Sequence, residues 1–190
     1  MIFMKLRYIS IFLFFVIAFF LASEIMKKRN IEKYTQQSLY EVAVLARKTS
    51  TAVNTEHLKC LATNIYWEAG SEPFMGQVAV ARVVINRIKH GFGSNPCKVI
   101  YQTSIVPDLN SNDGIKKICQ FSWVCQRTTN PNYNSARYKQ AEDIARMVLT
   151  QNKWHDVLPN NVLFFHSTSV DPGWLYKYVT TIGNHVFYKK

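Results

Sequence analysis

The stretch that most constrains this chain runs from Cys60 to Lys89, CLATNIYWEAGSEPFMGQVAVARVVINRIK. Leu58, Leu61 and Ile65 recur at helical spacing, and this first half closes on Trp67-Glu68-Ala69 before Gly70. Glycine there predicts a helix end, because it enters the left-handed conformation without a Cβ clash. The second half has Pro73 near its first turn, then Val78-Ala79-Val80-Ala81-Arg82-Val83-Val84-Ile85, apolar on nearly every side. A helix of that kind belongs inside a domain. Glu68 therefore ends one helix, flanked by Tyr66 and Trp67, beside the helix that forms the core. A carboxyl held against aromatic rings at a helix C-terminus has its charged form disfavoured by desolvation and by the helix dipole. That is the environment of a general acid. The plainer alternative is a solvated surface glutamate.

The motifs around Glu68 favour the acid. Tyr66-Trp67-Glu68-Ala69, Glu72-Pro73, Gly76-Gln77-Val78-Ala79-Val80-Ala81 and Val84-Ile85-Asn86-Arg87 resemble the opening of the cell wall hydrolases related to the spore cortex-lytic enzyme SleB. The resemblance continues, in the family's order, at Cys119-Gln120-Phe121-Ser122-Trp123-Val124-Cys125, at Phe164-Phe165-His166 and at Ile182-Gly183-Asn184-His185-Val186-Phe187-Tyr188. It covers the chain from about Cys60 to the C-terminus. It implies the lysozyme-like fold of the goose-type lysozyme and lytic transglycosylase group, with Glu68 as the catalytic acid. Two departures are visible. Relatives usually carry Arg-Gly where this chain has Gly70-Ser71, and Asp-Gly where it has Gln126-Arg127.

At 190 residues the chain has room for one domain of ordinary size. Its formal charge of +11 suits a polyanionic partner, whether nucleic acid, anionic lipid or cell wall. No cluster of metal-binding carboxylates accompanies that charge, so a nuclease is disfavoured and no nucleic acid partner is expected. Tyr8 to Ala22 is an uncharged apolar run, on the border between a signal-peptide core and a membrane span. No clean cleavage site follows it. Residues 1–23 are therefore expected to be a signal-anchor or signal peptide placing the domain outside the cytoplasmic membrane. Residues 24–56 read as a polar stalk and 57–190 as the hydrolase domain.

Within that domain, Gly91 to Pro96 is a turn signal and Thr103 to Lys117 reads as a polar surface loop. A third helix is predicted from an N-cap at Ser135 to Asn152, with Glu142 and Asp143 on its solvent side. Val162 to His166 reads as a buried strand. Val179 to Ile182 and His185 to Tyr188 read as a hairpin turning at Gly183-Asn184. Helices first and a small antiparallel sheet last make the class α+β.

Gln120, Phe121, Ser122 and Trp123 offer an amide, a hydroxyl and two rings, a set suited to sugars with their apolar faces and polar edges. With them Glu72, Gln77, His166, His185 and Tyr188 are candidate substrate-binding residues. In the last strand one pair, His185 and Tyr188, is expected on the face opposite Val186 and Phe187. The four cysteines, Cys60, Cys97, Cys119 and Cys125, fit disulfides in an oxidising compartment; Cys119–Cys125 is the first expectation, although three pairings are open. His166, His185 and Asp171 could in principle hold zinc in an amidase, but no His-x-x-x-His or Cys-x-x-Cys spacing supports it. No metal and no cofactor are expected.

The reading is a peptidoglycan glycosidase in which Glu68 protonates the leaving oxygen beside N-acetylmuramic acid. Glycosidases that use water carry a second carboxylate, for which Glu72, Asp108, Asp113 and Asp156 are candidates. Without one, the muramic acid's own hydroxyl attacks and leaves an anhydro-sugar end. A non-catalytic wall-binding or envelope-assembly module is the alternative from another class.

Overall fold

The computed structural model describes residues 2–48, 53–110, 114–126 and 129–190, excepting the side chains of 2–18 and 43–48. Asp113 and Arg127, both singled out above, lie outside the described residues. The chain divides into two compact units, Met1–Glu41 and Val42–Lys190.

Helix α1 runs unbroken over Ile2–Lys48, through the apolar run and most of the polar segment that follows it. Among the described residues no helix is long and apolar enough to cross a membrane. The uncharged run from Tyr8 to Ala22 sits at the border of the ~17–25 residues that a span usually takes. Most of the side chains of that run, residues 8–18, lie outside the described set.

In the second unit, α2 (Thr55–Ala69) starts where the Asn54 side chain accepts the His57 N–H at 3.0 Å. Its end corrects one expectation. Gly70 has φ −65°, an ordinary right-handed value, so no left-handed turn requires it. Space does instead: a Cβ there would run into the Tyr66 carbonyl oxygen and the Arg137 side chain. Helix α3 (Phe74–Lys89) follows Pro73 and is buried through most of its length, as its composition demanded. Two polar groups near its C-terminal end reach the segment around Val162. Asn86 Nδ2 donates to the carbonyls of Pro159 and Val162, and Arg87 Nε donates to that of Leu163 at 2.8 Å.

The short α4 (Pro96–Ile100), capped by Asn95, is tied to α2 by Cys60–Cys97. Strands β1 (Thr103–Pro107) and β2 (Ile115–Cys119) then form an antiparallel hairpin where a polar loop was expected. Its residues are exposed on both faces, so the sequence carries no alternation from which to read strands. After the single-turn α5 (Ser122–Gln126), helix α6 (Ala136–Gln151) packs on α2 and α3. Ser135 caps it by accepting the Tyr138 N–H, and Asn152 ends it with φ +46°. Asp143 is buried, not on the solvent side, because a helix packed against two neighbours buries more than one apolar stripe. Glu142 pairs with Arg146 at 2.9 Å.

The sheet is antiparallel in the order β3 (Val162–Ser167), β5 (His185–Lys189), β4 (Lys177–Ile182). The β4–β5 hairpin turns at Gly183-Asn184 as expected, with Gly183 at φ +59°. Strand alternation corrects the expected pairing of faces. Residues two apart share a face, so His185 goes with Phe187, and their rings lie 6.3 Å apart. Phe187 is fully buried against Ala79, Val83, Leu158 and Val162, which welds the sheet to α3.

Candidate active site

The C-terminal end of α2, the last turn of α3 and the sheet converge on a cleft of about 710 Å³. Helix α2 contributes Trp67 and Glu68, and α3 contributes Arg87. The segment after β2 contributes Gln120 to Trp123, held as a closed loop by Cys119–Cys125. Strand β3 supplies Phe164, Phe165 and His166, and β5 supplies His185. Trp174 and Tyr176, from the connection to β4, complete the wall.

Glu68 is partly exposed to this cleft, and burial pushes its carboxyl up from 4.5 to about 7. The Arg87 guanidinium works against that shift. Desolvation in turn pulls Arg87 down to about 10, opposed by Glu68. Arg87 cannot swing away to form a closer ion pair. Its Nε is bound to Leu163, and its guanidinium lies 5.1 Å from the Phe121 ring and 5.9 Å from that of Phe164. With the Gln120 amide turned so that its oxygen faces Arg87, that oxygen accepts from Nη1 at 3.0 Å and Nη2 at 3.2 Å. The acid thus faces a fixed positive charge that lowers its pKa without abolishing the burial effect.

Trp123 is positioned by α2: its Nε1 donates to Asn64 Oδ1 at 2.9 Å. His166 is held at both nitrogens. Nδ1 lies 2.9 Å from the Ser167 carbonyl and so donates to it, and Nε2 lies 2.9 Å from the Tyr188 hydroxyl. His185 is 7% exposed and stands edge-on to Phe165. Its Nδ1 has no hydrogen-bond partner among the described residues. Burial lowers its pKa; Glu72 raises it and His166 lowers it further.

The cleft therefore brings together Glu68, Gln120, Phe121, Ser122, Trp123, His166 and His185. Three candidates stand outside its lining. Tyr188 stacks behind His166. Gln77 is buried and donates to the Glu72 carbonyl. Glu72 itself binds the β4–β5 turn, accepting from the Asn184 N–H at 2.7 Å and from Asn184 Nδ2 at 3.1 Å. Of the other acids, Asp108 caps the Asn110 N–H in the β1–β2 hairpin and Asp156 lies close enough to act on Arg82. Asp171, weighed above as a metal ligand, accepts the Gly173 N–H. Among the described residues no three His, Cys, Asp or Glu side chains converge as a metal site.

Sequence reasoning assigned no role to Arg87, Trp174 or Tyr176. For the first, its place at the end of the Val84-Ile85-Asn86-Arg87 motif was the available signal. Two aromatics just past the Asp171-Pro172-Gly173 turn were the signal for the others; Tyr176 stacks on Phe164 at 4.1 Å.

The profile of the cell wall hydrolases matches residues 71–188, most of the chain. The chain belongs to that family. The match starts at Ser71, three residues after Glu68. Solved structures similar to this cell wall hydrolase include the catalytic domain of the germination-specific lytic transglycosylase SleB from Bacillus anthracis. The two are 26% identical, with a TM-score of 0.50, over 73% of this chain and 98% of that one. The catalytic domain of the Bacillus cereus SleB protein is 24% identical over 73% of this chain and 94% of that one, with a TM-score of 0.48. Among curated proteins none matches. The mixed helix-and-sheet architecture expected from the motifs is that of this family.

Proposed function

We propose that this cell wall hydrolase cuts peptidoglycan glycan strands next to N-acetylmuramic acid by lytic transglycosylase chemistry, with Glu68 as acid and then base. One observation carries the reading. Glu68 is the only carboxylate lining the cleft among the described residues, and its pKa of about 7 keeps it substantially protonated at neutral pH. It gives its proton to the leaving glycosidic oxygen as the bond to the muramic acid C1 breaks. The resulting carboxylate faces Arg87, which favours the charged form. It then takes the proton from the muramic acid C6 hydroxyl as that oxygen attacks C1, closing the anhydro ring and restoring the acid. Water is not consumed, so no second carboxylate is required. Glu72, held at the Asn184 turn, is a positioning residue in this scheme.

Gln120, Ser122, Trp123 and His185 are the groups proposed to hold the glycan, with His166 fixed by Tyr188 beside them. The similarity to the germination-specific lytic transglycosylase SleB supports the assignment of chemistry. A wall-binding module without catalysis would have no use for a carboxyl buried at such cost. The N-terminal apolar run is proposed to export or anchor the domain outside the cytoplasmic membrane, where both Cys60–Cys97 and Cys119–Cys125 would persist. A gel with embedded peptidoglycan tests the activity. Wild type is expected to clear it and Glu68→Gln to leave it opaque; clearing by both would overturn the assignment.

A further inference from the structure

A second cleft, of about 360 Å³, shares Trp67 and Trp123 with the first. Its floor is one face of α2. Glu56, Lys59, Cys60, Thr63 and Trp67 line it, spaced by three and four residues as a single helical face requires. From Glu56 to Trp67 that face runs roughly 16 Å at 1.5 Å per residue. The opposite side carries Tyr101 and Tyr133, both well exposed although aromatic. Tyr101 stands edge-on to Trp123 at 5.8 Å, and Lys59 Nζ lies 5.2 Å over the Tyr133 ring. Trp123 is held by Asn64; α4 is anchored by Cys60–Cys97, and the Tyr101 N–H that ends it donates to the Cys97 carbonyl at 3.0 Å.

Ring faces with a hydroxyl, an ammonium and a carboxylate around them match a saccharide, which has an apolar C–H face and a polar rim. The floor is a helix, so a peptide cannot add to it as a further strand. We propose that the second cleft is a further saccharide-binding subsite, which takes units of the same glycan strand remote from the bond that Glu68 breaks. The inference rests on the function proposed above. Binding remote from the reacting centre is what a polymer-cutting enzyme uses to hold the scissile bond in place. Trp67 and Trp123 are the shared wall across which the strand passes.

The test uses the full chain as Glu68→Gln, so that ligand survives, and peptide-free glycan strands in two length classes, tetrasaccharides and long strands. Titration calorimetry is expected to show long strands bound at least about tenfold more tightly. Tyr101→Ala and, separately, Lys59→Ala in that background are expected to remove about fivefold or more of that preference, the scale of a lost interface anchor. Melting temperatures identify any variant that fails to fold, and Lys59, being exposed, provides the safer of the two. Equal affinity for both lengths, or a preference untouched by both substitutions, overturns the subsite. Failure of the wild type to cut peptidoglycan would instead sink the proposed function, whatever the calorimetry shows.

Discussion

Glu68 and Arg87 hold each other's ionisation in opposition across the cleft. Burial raises the carboxyl to about 7 and lowers the guanidinium to about 10, while each charge works against the other's shift. Arg87 is fixed by Leu163 and Gln120, so it acts as a standing charge and not as a partner that closes on the acid. Turnover needs Glu68 protonated at the start. The rate should therefore be level on the acid side and fall as pH rises through about 7, which a pH–rate profile on solubilised glycan would show.

The same shift predicts a pH-dependent stability. A carboxyl whose folded pKa lies above its unfolded value stabilises the fold at low pH and loses that contribution as pH rises through the folded pKa. For Glu68 the window runs from 4.5 to about 7. Glu68→Gln should melt like wild type near pH 4 and gain on it across that window. After discounting for partial exposure, the gain should be about 1–3 kcal/mol at pH 8. A difference in melting temperature that stays constant from pH 4 to 8 would contradict the burial account.

Glu72 is expected to matter through the Asn184 turn. Glu72→Ala loses two hydrogen bonds from a charged acceptor and should cost about 1–3 kcal/mol. Glu72→Gln retains one acceptor, and should lose little turnover at temperatures well below its melting point. A fully stable Glu72→Gln protein with turnover reduced by ~10² or more, the scale of a lost acid–base group, would make Glu72 the second catalytic carboxylate.

The Cys119–Cys125 bridge closes the loop that carries Gln120 to Trp123. Replacing both cysteines by serine should raise KM more than it lowers kcat. It should cost the fold about 2 kcal/mol, as expected for so small a loop. Peptide mapping without reductant should recover Cys60–Cys97 and Cys119–Cys125, and either alternative pairing would contradict the fold.

How much of this was legible in the sequence depended on periodicity. Helices α2 and α3 and the β4–β5 hairpin were readable because burial imposes a period on apolar residues, and Ser135 and Asn152 mark the ends of α6 by their chemistry. The β1–β2 hairpin was not readable, because strands wet on both faces, such as Ile115–Cys119, carry no period. Gly70 was legible as a helix end, but its cause was not: the close approach of Arg137 comes from a helix far along the chain. Glu68 stood out by its aromatic neighbours and motif, although its pKa rests on burial of the whole cleft. Arg87 did not stand out, since Leu163 and Gln120, which fix it, are distant in sequence. The His185–Phe187 pairing was available from alternation alone, and the expected pairing of His185 with Tyr188 set aside a period of two.

That pairing gives a prediction of its own. Phe187→Ala should cost ~3–5 kcal/mol as a fully buried ring. His185→Ala, whose Nδ1 has no partner among the described residues, should lower activity with a smaller loss of melting temperature. Equal destabilisation with unchanged activity per folded molecule would make His185 a core residue only.

The central claim is that Glu68 alone carries the proton chemistry and that the substrate supplies its own nucleophile. Mass spectrometry of peptidoglycan digested by the wild type tests it most directly, with Glu68→Gln as the control. The account predicts muropeptides ending in anhydro-muramic acid from the wild type. From folded Glu68→Gln it predicts a yield lower by ~10²–10⁴, the usual scale for a lost acid–base group. Reducing muramic ends from the wild type, or undiminished product from Glu68→Gln, would contradict it.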